Sequence, residues 1–377
     1  MIDTAVLAFL LALAVSAALV SIKLGLSVAI VELVIGMLAG NMLGFSSSGH
    51  DWLLFLAGLG SVVLTFLAGA EIDPEAMRKN WKASISIGML SFLAPFLGTM
   101  AICYLLLGWT WPASLLAGVA LSTTSVAVVY VVLVETGTSR TETGKLILSA
   151  CFVTDLGTVV ALSLLFIHPN IYFLVMLAAL VISILILPKF LNWMFTWLSG
   201  RMGEPEVKVC LLILVLLGLS AEIAGSHAVL PAYILGLILA STMAHHKAVL
   251  VKLRSLSMSF LTPFFFIAAG LNVSLFAVAS SLGLVALLFA IKVGSKFIGI
   301  LPPCRRFVGR DSIYITLLMS TGLTFGTISA QYGLSMGIID RTQFSVLVTV
   351  VMLTAIVPTI IAQRWFKPGI QSECEKK

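Results

Sequence analysis

Apolar residues run on for stretches long enough to cross a ~30 Å hydrocarbon core, and Gly, Pro and clusters of charge separate one stretch from the next. Thirteen such segments are predicted, at 4–22, 26–44, 52–72, 83–107, 112–134, 142–167, 170–187, 206–225, 228–244, 256–276, 281–302, 311–333 and 343–363. The first, inside "MIDTAVLAFLLALAVSAALV", opens with an acid where a secretory signal would carry basic residues, so it reads as a membrane helix. Between the seventh and eighth lies "PKFLNWMFTWLSGRMGEPE", whose Trp and basic residues fit an interfacial helix. The pattern is that of an all-α polytopic membrane protein.

Charge adds an orientation. Of the 22 Lys and Arg residues, all but Arg341, Lys292 and Lys296 fall in the loops that follow odd-numbered segments or in the C-terminal tail. Cytoplasmic loops collect basic residues, so the N-terminus is expected outside and the C-terminus in the cytoplasm. Composition agrees, with 60% hydrophobic and 10% charged residues and a mean hydropathy of +1.14. The net charge of +6 is spread over loops, which argues against a nucleic-acid partner. Five cysteines stand without CxxC spacing, and His245 and His246 lack zinc-ligand spacing, so neither a disulfide framework nor a metal centre is expected.

With thirteen spans, each of the first six segments crosses opposite to the segment seven places later, the topology of an inverted repeat. One such pair carries poor helix interiors. The fifth segment has "ALSTTSVAV", with Thr123, Thr124 and Ser125, and the twelfth has "LLMSTGLTFGTIS", with Ser320, Thr321, Gly322 and Thr324. Hydroxyl residues compete for backbone hydrogen bonds and Gly loses backbone entropy, so both segments are expected to be interrupted. Unwound backbone at membrane depth is tolerated where it lines a cavity or is buried in protein.

Three ionisable groups lie deepest. Asp155 is central in the sixth segment, and Lys292 and Lys296 share one face of the eleventh. A charge at mid-bilayer costs at least ~3 kcal/mol on insertion scales, which makes these groups functional candidates. Desolvation and a lysine counter-charge push a carboxylate in opposite directions, leaving Asp155 able to exchange protons near neutral pH. The bland reading is a structural Asp–Lys bridge. Thr154, Thr123, Thr124 and Ser125 add hard oxygens suited to Na⁺ or K⁺ at Asp155, although small residues also serve helix packing. Glu71 and Glu32 are weaker candidates near cytoplasmic helix ends, where a solvated or capping role is expected, and His227 sits at an outer end.

The stretch "LSTTSVAVVYVVLVETGTSRTETGKLILSACFVTDLGTVVALSLLF", with "FLAGAEID", "IKVGSKFIG" and "MSTGLTFGTIS", resembles the monovalent cation:proton antiporter-2 family (CPA2) over essentially the whole chain. Its members include the NapA-type Na⁺/H⁺ exchangers and the membrane domains of Kef-type K⁺/H⁺ systems. The resemblance implies the NhaA-like sodium/proton antiporter fold, with the interrupted fifth and twelfth helices crossing. It also implies a homodimer in a bacterial inner membrane. A scaffold (1–80 and 205–280) and a mobile ion-transport core (81–167 and 281–366) would be joined by 168–204 and followed by a tail at 367–377. Electrogenic members carry two consecutive acids where this chain has Thr154 and Asp155, so electroneutral Na⁺/H⁺ exchange is expected. Lys292 is the first choice for the family's basic position and Lys296 the alternative. K⁺/H⁺ exchange stays open; Kef-type systems continue into a nucleotide-binding domain, and with no GxGxxG up to "FKPGIQSECEKK" the expectation is either an exchanger without that domain or a membrane domain cut from a regulated K⁺ efflux system. Outside the family, the rival readings are a channel, a Na⁺-coupled organic-anion symporter and an intramembrane aspartyl protease; the last needs a second deep Asp. A transporter is expected, with no enzyme activity and no cofactor.

Overall fold

The computed structural model describes residues 3–24, 27–45, 50–71, 80–138, 141–165, 171–198, 203–223 and 228–366. Within these the chain is helical throughout: α1 (Asp3–Leu24), α2 (Val28–Met42), α3 (Asp51–Ala70), α4 (Trp81–Leu105), α5 (Trp111–Ser122), α6 (Val126–Glu135), α7 (Glu142–Leu165), α8 (Ile171–Leu198) and α9 (Pro205–Ile223). There follow α10 (Val229–His245), α11 (Lys247–Leu256), a π turn (Ser257–Leu261), α12 (Thr262–Leu271), α13 (Leu275–Ser280), α14 (Leu282–Phe307), α15 (Ser312–Met319), α16 (Thr324–Ser335) and α17 (Arg341–Trp365). Among the described residues, nine helical spans are long and apolar enough to cross a bilayer, and two shorter apolar helices are Val28–Met42 and Pro231–His245.

Two boundaries differ from the sequence expectation. The seventh segment and the interfacial stretch are one helix, α8, which continues through Pro188. A membrane helix tolerates proline when neighbouring groups take up the freed carbonyl. The tenth segment begins earlier than the apolar run, at Lys247, in the amphipathic α11, and reaches α12 through the π turn. Pro263 has no N–H for the carbonyl four residues back, and a wider turn just before it absorbs that mismatch.

The chain divides into two compact units, the first made of residues 1–74 and 159–275 and the second of 75–158 and 276–377. In the first, α2 packs on α12 and α3 on α10. Both contacts are made by glycines pressed on backbone. A Cβ at Gly36 would lie 2.4 Å from the Ile267 carbonyl oxygen and one at Gly270 2.2 Å from that of Leu33. At the other crossing, a Cβ at Gly69 would lie 2.4 Å from the Tyr233 oxygen and one at Gly236 2.1 Å from that of Phe66. In the second unit α4 lies between α14 and α5, and α16 packs on both α5 and α17.

Candidate functional site

Every residue of the site belongs to the second unit. The hydroxyl run stops the fifth span at Ser122, and Thr123 takes extended backbone angles (φ −61°, ψ 153°) before α6 starts at Val126. The twelfth span likewise stops at Met319 and restarts at Thr324. A break leaves carbonyls at one helix end and N–H groups at the next without intrahelical partners. Here side-chain hydroxyls take up several of them. Ser122 and Thr123 donate to the carbonyls of Val119 and Ala120 (2.8 and 3.0 Å), and Ser320 and Thr321 to those of Thr316 and Leu318 (2.7 and 2.8 Å). The Ser125 hydroxyl accepts from the Val128 N–H at the start of α6 (3.4 Å).

The two breaks also bond to each other. The Ser125 N–H donates to the Thr321 carbonyl (3.1 Å), and the Thr124 hydroxyl donates to that of Met319 (2.9 Å). A continuous helix would instead have sent the Ser125 N–H to Leu121.

Both lysines of α14 are fully buried, and each reaches a different break. Lys296 Nζ donates to Ser91 Oγ of α4 (2.7 Å) and to Thr124 Oγ1 (2.9 Å), and these two hydroxyls lie 3.4 Å apart. Lys292 Nζ reaches the second break. A Cβ on Gly322 would fall 2.1 Å from it and 2.9 Å from Thr123 Oγ1, so the absence of a side chain at 322 is what makes room for the ammonium. Lys292 Nζ has no hydrogen-bond partner.

Asp155 of α7 is 1% exposed, and its Oδ1 is sealed without a partner. One turn earlier, Cys151 Sγ lies 3.5 Å from Met319 Sδ at the end of α15. That contact sets this face of α7 against the second break. Asp155 and Lys296 are within electrostatic reach of each other, yet no ion pair within 4.0 Å joins Asp155 to either lysine. Thr154 turns elsewhere: its hydroxyl donates toward the carbonyls of Gly88 in α4 (3.2 Å) and Ala150 (3.0 Å). The close α4–α7 approach needs Gly88, where a Cβ would stand 2.5 Å from Val153 Cβ.

The structure thus links Thr123, Thr124, Ser125, Lys292, Lys296, Thr321 and Gly322 across the two breaks, with Ser320 beside Thr321, Thr324 opening α16 and Asp155 within electrostatic reach of Lys296. Ser91 is the member that sequence reasoning missed. Its only signal was a hydroxyl one turn before Pro95 in "SFLAP". Glu71 and Glu32 lie outside the cluster, in the first unit. The α3 terminus places Glu71 beside α11, where its Oε1 accepts from Arg254 Nε (2.7 Å) and lies 2.5 Å from the guanidinium's Nη2. Glu32 was expected to be solvated or capping, but it is 2% exposed within α2. His227 lies outside the described residues.

Buried hydroxyls with free lone pairs, broken helix ends and one carboxylate form a hard-oxygen environment fit for a proton or a small monovalent cation. Comparison with known proteins points the same way. Residues 8–367 match the family described as sodium/hydrogen exchanger, transmembrane. The chain is 29% identical over 366 residues to a probable Na⁺/H⁺ antiporter of Methanocaldococcus jannaschii, covering 93% of this chain and 91% of that one. It is 25% identical to the Na⁺/H⁺-K⁺ antiporter GerN of Bacillus cereus, with 89% of each covered. It also resembles cation/H⁺ antiporter 18 of Arabidopsis thaliana at 28% identity, spanning 42% of that longer protein. The solved structure of the sodium proton antiporter MjNhaP1 of M. jannaschii superposes with a TM-score of 0.72 at 16% identity, covering 96% of both chains, so the fold is shared.

Proposed function

The chain belongs to the sodium/hydrogen exchanger family, and from that premise we propose that this multi-pass membrane protein is a secondary active antiporter exchanging monovalent cations, Na⁺ first, for protons. The observation that carries the reading is Asp155: a buried carboxylate, without a hydrogen bond at Oδ1, in the unit that contains both broken helices. A bare charge there is expensive, so Asp155 holds either a proton or a cation and the two compete for it. Thr123, Thr124 and Ser125 offer the cation further oxygens, and Lys296 steadies the first break through Ser91 and Thr124.

Transport follows by alternating access of the elevator kind. The second unit is the moving core and the first the scaffold; the contact division at 74/75, 158/159 and 275/276 supports this assignment. A core with Asp155 neutralised crosses readily, and an unloaded one does not, which couples the two fluxes. Exchange is electroneutral, one proton for one cation, because Thr154 stands in place of a second acid and its hydroxyl is committed to backbone carbonyls. Thirteen spans in an inverted repeat complete the architecture, with a homodimeric assembly in a bacterial inner membrane, the N-terminus outside and the C-terminus cytoplasmic. The glycine crossings support the repeat, since second-with-tenth and third-with-ninth exchange under a shift of seven segments. K⁺ is the second reading, favoured by the name of the GerN relative.

The test is a Na⁺-driven pH change in proteoliposomes. Asp155→Asn is expected to abolish it; exchange at the wild-type rate would end the proposal.

A further inference from the structure

We infer that Glu32 is a second position at which the exchanger takes up a proton or a monovalent cation, at the cytoplasmic end of the first unit. The inference rests on the antiport and orientation proposed above. Glu32 lies near the start of α2, and its residue is 2% exposed. Among the described residues it makes neither a hydrogen bond nor an ion pair, and unlike Asp155 Oδ1 its oxygens are not fully sealed.

Among the described residues, the helices that pack most on Glu32's helix offer nothing to balance a charge. The helices packed on α2 are α12 and α1. No residue of α12 ionises, and the ionisable groups of α1 are Asp3 and Lys23 at opposite ends of the helix. Lys23 is exposed and forms no ion pair with Glu32. On α2 itself Glu32 is the sole charged residue. Glu71 makes the contrast: it too is an acid of this unit, but Arg254 neutralises it with two donors.

A paired acid such as Glu71 holds structure, whereas an unpaired one settles only with something on it. A desolvated carboxylate without a donor is costly as a bare anion. The species that relieve it are a proton and a small cation, the two that an antiporter moves. Glu32 would then concentrate the ion where it enters or leaves, while Asp155 carries it; it is an ion-binding residue outside the carrying site.

The experiment measures exchange in proteoliposomes as a function of Na⁺ and pH for wild type, Glu32→Gln and Glu32→Asp. Expected for Glu32→Gln is an apparent KM for Na⁺ raised about tenfold, from one lost charge at short range, with kcat kept within about twofold and a flatter dependence of KM on pH. Glu32→Asp should recover most of the affinity. A wild-type KM and pH profile in Glu32→Gln would overturn the inference.

Should Glu32→Gln fail to insert, the wild-type protein still decides. Dicyclohexylcarbodiimide reacts with protonated carboxyls in apolar surroundings, so mass spectrometry should find a Glu32 adduct that Na⁺ suppresses, and none on Glu71. An adduct insensitive to Na⁺, or none on Glu32, would refute it. If the wild type exchanges nothing, the antiport reading itself falls.

Discussion

Gly322→Ala tests the claim that Lys292 occupies the second break. The added methyl would lie 2.1 Å from Lys292 Nζ and 2.9 Å from Thr123 Oγ1, against about 3.4 Å for ordinary contact. Lys292 must retreat by more than 1 Å, yet it is 0% exposed and carried on the packed helix α14. Overpacking of this kind costs about 1–3 kcal/mol, which lowers the melting temperature in detergent by on the order of a few degrees. If the lysine is the obstacle, shortening it should relieve the strain. In a double-mutant cycle with Lys292→Ala, the pair should therefore be more stable than the sum of the single changes predicts, by about 1–2 kcal/mol. The assay is thermal unfolding of purified protein for the four variants, with Na⁺-driven exchange followed in parallel. Single effects that add within about 0.5 kcal/mol would refute the reasoning, because two groups competing for one position cannot be independent.

Two further outcomes are expected. Gly236→Ala would set a methyl 2.1 Å from the Phe66 carbonyl oxygen; backbone cannot step aside as a side chain can, so detergent stability should fall by about 1–3 kcal/mol, and a wild-type unfolding temperature would contradict the close α3–α10 crossing. Initial exchange rates should be unchanged when a membrane potential is imposed by a K⁺ gradient with valinomycin, and marked acceleration would exclude one-for-one exchange.

Much of this was legible in the residue pattern. Apolar run lengths put these helices at 83–107 and 343–363, and the structure has α4 at Trp81–Leu105 and α17 at Arg341–Trp365. Helix-disfavouring chemistry marked where the fifth and twelfth spans stop, because Ser and Thr offer the backbone alternative partners wherever they occur. What a one-dimensional pattern lacks is the register between helices. The i, i+4 spacing put Lys292 and Lys296 on one face, but only packing decides that Lys296 meets Ser91 and Thr124 while Lys292 reaches Gly322. The choice of Lys292 as the leading basic position rested on family pattern, and the geometry gives the hydrogen bonds to its neighbour. Thr154 was expected as a ligand because it adjoins Asp155; that its hydroxyl bonds toward Gly88 of α4 is a matter of register that spacing along the chain does not show. Glu32 looked solvated because of its place near a helix end, a judgement that takes no account of what packs against that end.

The hydrogen bond from Ser125 to Thr321 has a consequence for biosynthesis. Its donor leaves the ribosome about 200 residues before its acceptor, an interval of roughly 10–40 s at ordinary rates of elongation. Each compact unit is likewise assembled from an early and a late part of the chain. Over that interval the first break sits in a nascent protein whose matching half does not yet exist, and hydrocarbon offers its N–H no acceptor. Water at the insertion site, or the insertion machinery itself, must stand in until Thr321 arrives. A ribosome stalled between the two positions would hold an integrated chain whose ion pathway has only one wall.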